Sequence, residues 1–407
     1  MSTPTSHRRM AELTDGGRVL VITNDFPPRR GGIESFVLAL CRALPPDRVV
    51  VYTSRTPESQ SFDATLPFPV IRTRAAVLLP TPRVAREAIR IARSHGCDRV
   101  LFGAAAPLGL LAPRLNAAGI SRVIGLTHGH EVWWAAMPGA RRLLRRIGDN
   151  VDALTFVSDY CGALIRPALS SSSAARLTRL SPGVDLARFH PALDGSAERA
   201  RLGVRLDQPV VLAASRLVRR KGHDTLLRAW RKLVETRPDA VLLIVGAGRD
   251  RRRLQRYLSK HELDSSVRMV GAVEWDDMPR LYAAANVFAL PCRTRRRGLE
   301  PEALGVVFLE AAAAGLPVIV GRSGGAPETV LDGETGYVVD PHDCGRLAKL
   351  ILTLLEDDQR ARSMGSRGRQ FVAEQYSEKR CSDGFLHLMA VSSRHGSSDD
   401  VKHADCG

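Results

Sequence analysis

The chain has 407 residues, 44% of them hydrophobic and 25% charged, and carries a formal net charge of +16. That length exceeds a single typical core and suits two domains, with the composition of an ordinary globular protein. No apolar run is long enough to span a bilayer, the opening MSTPTSHRRMAELTDGG lacks the apolar stretch of a secretory signal, and the seven cysteines stand singly. These features exclude a membrane-spanning helix, a disulfide scaffold and a CxxC metal site, and predict an intracellular protein with reduced thiols. The positive balance points to a polyanionic partner: nucleic acid, an anionic lipid surface or a phosphorylated small molecule. With 5% aromatic residues and no recognisable binding module, nucleic acid is the least supported of the three.

In chain order, residues 1–16 read as a flexible N-terminus, and Arg18 to Thr23 as a buried strand. A loop containing Gly31 and Gly32 follows, then an amphipathic helix from about Ile33. RVVVYTS, DRVLFG, SRVIGLTHG and DALTFVS are further strands, and the helical PRVAREAIRIARSHG and GARRLLRRIGDN lie between them. Apolar strands alternating with helices predict an α/β fold with a doubly wound, Rossmann-like parallel sheet. The period breaks in LSPGVDLARFHPALDGSAERARLG, which reads as a linker. It then restarts: PVVLAASRL, AVLLIVGAG, SVRMVGAV, ANVFALP and LPVIVGRSGG are strands, with helices from about Asp224, Arg251, Asp277 and Val306. The expected division is a first domain over 17–190, a second over 191–375, a C-terminal helix over 376–392 and a disordered tail over 393–407. Two such domains would place the carboxyl ends of two parallel sheets across a ligand-binding cleft.

Chemistry concentrates in TRRRGLEPEALGVVFLEAAAAGLPVIVG, where Glu302 and Glu310 are separated by seven residues. A helix starting near Val306 behind Gly305 has backbone N–H groups without intrahelical partners, which attract phosphate. Glu302 would lie just outside that start and Glu310 about one turn inside, so a docked pyrophosphate falls between them. Each carboxylate can accept hydroxyl hydrogen bonds, Glu302 from a hexose and Glu310 from a ribose. The competing reading for each is a helix cap or an ion pair. Cations to neutralise a diphosphate come from ASRLVRRKG, where Arg216 follows a strand and Lys221 precedes a helix. Arg offers a two-donor clamp and Lys a mobile point charge that favours a departing nucleoside diphosphate. A solvated surface is the alternative. Gly31 and Gly32 allow close backbone approach to a phosphate, though they do not form a GxGxxG dinucleotide motif. In THGHEVWW, His128 and His130 follow a strand end beside Glu131, and no further Cys or His completes a metal site.

Taken in this order, DFPPRRGG, SRLVRRKG, LLIVGAG, the E-x7-E pair and its sequel GLPVIVGRSGGAPE resemble glycosyltransferase family 4, the retaining enzymes of the GT-B fold. The likeness covers roughly residues 17 to 390. GLTHGHEVWWAAMPGARRLLRRIGDNVDALTFVS and CRTRRRGLEPE are similar, more narrowly, to the phosphatidylinositol-monomannoside mannosyltransferases. The resemblance implies a GDP-mannose donor, a phosphoinositide glycolipid acceptor, action at the cytoplasmic membrane face, and no metal or other cofactor. It implies that Arg216 and Lys221 hold the diphosphate, and that Glu310 binds the ribose. Glu302 would bind the mannose with help from the backbone at Gly305, Val306 and Val307. Gly31 and Gly32 would approach the diphosphate, Val270 to Val273 would face the base, and His128, with His130 in reserve, would contact the transferred sugar. No covalent nucleophile is expected, and the last helix would cross back to the first domain. Another nucleotide sugar, with a soluble or different lipid acceptor, is the main rival. The arginines beside aliphatic residues in PRVAREAIRIAR and ARRLLRRIGDN suit an anionic membrane surface or, equally, a solvated helix face.

Overall fold

The computed structural model describes residues 17–390, so the expected flexible N-terminus over 1–16 and tail over 393–407 lie outside the described residues. The chain divides into two compact units. One takes 17–157, Gly162–Leu180 and 381–390; the other takes Ser158–Cys161 and Ser181–Arg380. The change of unit therefore comes before the expected 190/191. Its cause is local: Arg188 bonds Asp276, and Arg369 bonds the Leu186 and Phe189 carbonyls, tying the SPGVDLARF segment to the second unit.

The first unit holds seven parallel strands: β1 (Arg18–Thr23), β2 (Val49–Ser54), β3 (Val70–Thr73), β4 (Cys97–Phe102), β5 (Arg122–Gly125), β6 (Ala153–Phe156) and β7 (Leu177–Arg179). Their spatial order is β3-β2-β1-β4-β5-β6-β7. β1 is central and buried on both faces, which is why RVLVIT reads as a continuous apolar run rather than an alternation. The period of two still sorts its side chains. Leu20 and Ile22 enter one core layer with Val50 and Tyr52, whereas Val19 and Val21 enter the other with Val49 and Val51. The latter layer also receives Cys381, Phe385, Leu388 and Met389 from the Glu378–Ala390 helix. Arg99 and Arg122 fix the end of that helix through the carbonyls of Met389 and Leu388.

The second unit has six parallel strands: β8 (Val210–Ala214), β9 (Val241–Val245), β10 (Val267–Gly271), β11 (Val287–Leu290), β12 (Val318–Gly321) and β13 (Gly336–Val339), in the order β10-β9-β8-β11-β12-β13. The order reverses between β8 and β11, and loops leaving the carboxyl ends of these two strands diverge there, the usual position of a ligand crevice in such sheets. Glu328 anchors the neighbouring turn, its carboxylate accepting from the N–H groups of Asp159 and Tyr160 at 2.8 and 2.9 Å. The described cysteines are free thiols, and burial pushes Cys41 and Cys292 up to about 12.

Candidate active site

β8 ends at Ala214, and the chain turns through Ser215 and Arg216 into a short 3-10 turn over Arg219–Lys221 before Gly222 opens the His223–Thr236 helix. Gly222 has φ +74°, and a Cβ there would lie 1.9 Å from the Pro291 carbonyl oxygen, so only glycine lets this loop pack against the one after β11. That packing places Lys221 and Arg220 beside Glu302. The Glu302 Oε2 atom lies 2.7 Å from Lys221 Nζ and 2.8 Å from Arg220 Nη1. Burial works to raise the Glu302 carboxyl, but Lys221 and then Arg220 outweigh it and hold it below the ordinary glutamate value. The loop after β12 closes the third side: Ser323 Oγ accepts from the Glu302 N–H at 3.2 Å, and the Glu302 carbonyl accepts from Gly325 at 2.9 Å.

The Val306–Ala313 helix starts where the sequence predicts, with Gly305 at its N-cap and no side chain capping it. Gly305 sits at φ +91°, and a Cβ there would come within 2.5 Å of the Phe308 ring. The N–H groups at Val306 and Val307 thus open a helix whose first turn holds no acidic side chain, beside a cluster of Arg216, Arg220 and Lys221 against one carboxylate. An anion is the ligand such a place favours. Glu310, one turn on, accepts from the Tyr282 hydroxyl at 2.7 Å. Burial raises its carboxyl, and the Tyr282 bond and the Arg188 charge offset this only in part. Glu302 and Glu310 therefore differ in kind: one is an ionised member of a cation cluster, the other a carboxyl raised by burial and held by the Tyr282 hydroxyl.

Lys221 is not the mobile point charge expected from sequence; it is 7% exposed and fixed by Glu302. Arg216 remains exposed, near enough to help depress the Glu302 carboxyl. Val270 lies in β10 at an irregularity of pairing between Met269 and Gly271, and Val273 lies in the loop beyond; both are half-buried. Sequence reasoning passed over Arg220, which stands beside Lys221 in RRKG, and Tyr282, whose polar tip in a buried helix left no signal. It also missed His223, whose Nε2 meets Ser215 Oγ at 2.9 Å and whose pKa burial and Lys221 push down to about 4, leaving it neutral.

In the first unit, Gly31 and Gly32 are exposed at the start of the Gly32–Arg42 helix, and a Cβ at Gly32 would meet nothing within 4 Å. His128 follows β5, its Nε2 2.6 Å from the Gly103 carbonyl oxygen. A carbonyl only accepts, so Nε2 carries the proton and Nδ1 is left as an acceptor in the neutral ring. Burial lowers the His128 pKa, with Glu131 and the Gly103 bond restoring part of it. Glu131 is fully buried, accepting from the His128 N–H at 2.9 Å and lying 3.0 Å from His130 Nε2. The imidazole of His130 is turned to this carboxylate and 44% exposed, while His128 is the more enclosed ring. Among the described residues, no three His, Cys, Asp or Glu side chains gather as metal ligands.

Comparison with known proteins identifies the family. A model of the glycosyl transferases group 1 family matches residues 194–371, and one of Glycosyltransferase Family 4 matches residues 30–188. The chain is 45% identical over 364 residues to a GDP-mannose-dependent monoacylated alpha-(1-6)-phosphatidylinositol monomannoside mannosyltransferase of Corynebacterium glutamicum, covering 88% of this chain and 94% of that one. A GDP-mannose-dependent alpha-(1-6)-phosphatidylinositol monomannoside mannosyltransferase of Mycobacterium tuberculosis is likewise 45% identical over 88% of this chain and 94% of its own. In fold, Anabaena Alr3699/HepE in complex with UDP and glucose superposes with a TM-score of 0.78 at 18% identity, covering 92% of this chain and 100% of that one. WaaG, a glycosyltransferase of lipopolysaccharide biosynthesis, matches with a TM-score of 0.63 at 19% identity over 90% and 99% of the two chains.

Proposed function

The chain belongs to glycosyltransferase family 4, with the GT-B fold, and from that membership we propose that it moves mannose from GDP-mannose, with retention, to phosphatidylinositol monomannoside, giving the dimannoside. The observation that carries this reading is the uncapped helix start at Gly305 beside Arg216, Arg220 and Lys221. We assign the diphosphate to that start, the ribose hydroxyls to Glu310 and the mannose hydroxyls to Glu302. As the glycosidic bond to the diphosphate breaks, negative charge grows on the leaving oxygen, and fixed cations with backbone N–H donors stabilise it without reorganising. Glu302 keeps Lys221 and Arg220 in place before the donor arrives, so the binding site is preorganised. Gly31 and Gly32 are assigned to the diphosphate and Val270 and Val273 to the base. Neutral His128, with Nδ1 as acceptor, is assigned to a hydroxyl of the transferred sugar. The acceptor hydroxyl loses its proton to the departing diphosphate on the same face, which needs no covalent enzyme intermediate.

The lipid acceptor gives meaning to the basic first unit. On the Pro138–Asn150 helix, Arg141, Arg142 and Arg145 are exposed together with Leu143, and Trp133 and Met137 are exposed just before it. Apolar side chains set among arginines suit the headgroup boundary of an anionic leaflet. The Pro82–Ser94 helix is the weaker candidate, since its Arg90 is engaged by Glu87 at 2.7 Å. No described helix is long and apolar enough to cross a membrane; from the lipid acceptor and this basic, partly apolar face we assign the protein to the cytoplasmic membrane face as a peripheral enzyme. Incubation with GDP-mannose and phosphatidylinositol monomannoside, followed by product mass, tests the reading. One added hexose is expected; no product with GDP-mannose, alongside transfer from a UDP-sugar, would overturn it.

A further inference from the structure

In the second unit, Trp275 follows β10 at the carboxyl edge of the sheet, two residues beyond Val273, and is 47% exposed. About half of the residue's surface is therefore covered. The Arg188 guanidinium lies over the indole with Cζ 3.3 Å from the ring centroid. Arg188 is itself pinned, its Nη2 donating to the Trp275 carbonyl and to Asp276 Oδ1. Its Nε is buried and has no hydrogen-bond partner among the described residues. A planar cation held against an aromatic ring fixes the ring's plane, so the exposed part of Trp275 is a rigid apolar plate.

A relay of contacts through Arg188 leads from the plate to the carboxyl assigned to the ribose, and the Arg188 charge acts on that carboxyl. Arg188 Cζ is 5.9 Å from the Phe189 ring centroid, Phe189 meets Tyr282 edge-on at 5.6 Å, and the Tyr282 hydroxyl bonds Glu310 at 2.7 Å. A base hangs directly from its ribose, so a ribose on Glu310 brings the base to this part of the carboxyl edge. Flat aromatic faces bind bases by stacking, and the larger ring system of a purine overlaps an indole more than a pyrimidine does.

We propose that the exposed part of Trp275, backed by Arg188, stacks the nucleobase of the donor and makes the site favour a purine over a pyrimidine diphosphate. This rests on the assignment of Glu310 and the Gly305 helix start to a nucleoside diphosphate. Calorimetric titration of the full chain with GDP, UDP and inorganic pyrophosphate tests it, using the wild type, Trp275→Ala, Trp275→Phe and Arg188→Lys. Trp275→Ala is expected to weaken GDP about tenfold, to weaken UDP less and to leave pyrophosphate unchanged. Trp275→Phe recovers most of the GDP affinity, and Arg188→Lys, which loses the planar backing, falls between. The proposal is overturned if Trp275→Ala binds GDP like the wild type, if UDP falls by the same factor as GDP, or if pyrophosphate is lost in parallel. A wild type that binds none of the three probes overturns the nucleotide assignment itself; wild-type binding of GDP with an indifferent Trp275→Ala overturns the stacking alone.

Discussion

Replacing Glu302 by Gln keeps the shape of the side chain and removes its charge. In the folded protein that carboxylate is 8% exposed, 2.7 Å from Lys221 Nζ and 2.8 Å from Arg220 Nη1. With an effective dielectric constant of 20, the attraction across 2.7 Å is ~6 kcal/mol before desolvation is counted. Desolvation consumes much of it, and removing one partner from a buried pair costs about 3–5 kcal/mol. The lower end applies, because the Arg220 side chain keeps 22% of its surface in water. At about 2–4 °C per kcal/mol for a unit of this size, the calorimetric transition of the second unit should fall by about 6–12 °C at neutral pH. The folded Glu302 carboxyl is held below its ordinary value. Its stabilisation is therefore complete above the unfolded pKa, about 4.3, and is lost as pH falls through the lower folded value. The gap between wild type and Glu302→Gln should be full at pH 7 and close on acidification below about pH 4. A gap smaller than about 1 kcal/mol at neutral pH, below the range for a buried pair, or one that ignores pH, refutes the reasoning.

Tyr282→Phe removes the hydroxyl that bonds Glu310, and should cost about 1.5–3 kcal/mol in urea unfolding while weakening GDP binding. It should also leave the Glu310 carboxyl still higher, since the Tyr282 bond now holds it down; an unchanged GDP affinity would separate Glu310 from the ribose. Gly305→Ala must accept φ +91° and a Cβ 2.5 Å from the Phe308 ring, so a loss of more than 1 kcal/mol in stability and of diphosphate binding is expected on titration. Substituting Arg141, Arg142 and Arg145 together by Gln should weaken pelleting with phosphatidylinositol vesicles by about 3 kcal/mol at low salt, at roughly 1 kcal/mol per engaged arginine. The wild-type binding should itself fade as salt rises, and equal pelleting of variant and wild type would remove that helix from the membrane surface.

The strands that read clearly from sequence are those buried on both faces. RVLVIT and AVLLIV carry unbroken apolar runs because both faces of an inner parallel strand are covered. β3 (VIRT) and β7 (LTR) were not anticipated, because edge strands are short and half-wet and so carry polar residues; β13 (GYVV) was hidden by its glycine. The C-terminal helix expected over 376–392 spans Glu378–Ala390, and two further helices precede it over Cys344–Glu356 and Asp358–Gln375. Asp343 and Asp357 each cap a new start by accepting from the N–H three residues on. At the site, the helix start behind Gly305 was legible because glycine before an apolar run has a local meaning. The partnership of Glu302 with Arg220 and Lys221 was not, since two loops distant in sequence meet only when the sheet forms, and nothing local distinguishes the arginines of VRRKG. The Arg188–Trp275 stack is hidden for the same reason: β8, β9 and β10 all lie between its members in the chain.

A crystal structure of the full chain with GDP tests the central claim most directly. The diphosphate should accept from the backbone N–H groups of Val306 and Val307, with Arg216 and Lys221 on its oxygens and the ribose on Glu310. Diphosphate density seated away from the Gly305 turn, with those N–H groups still facing water, would contradict the account.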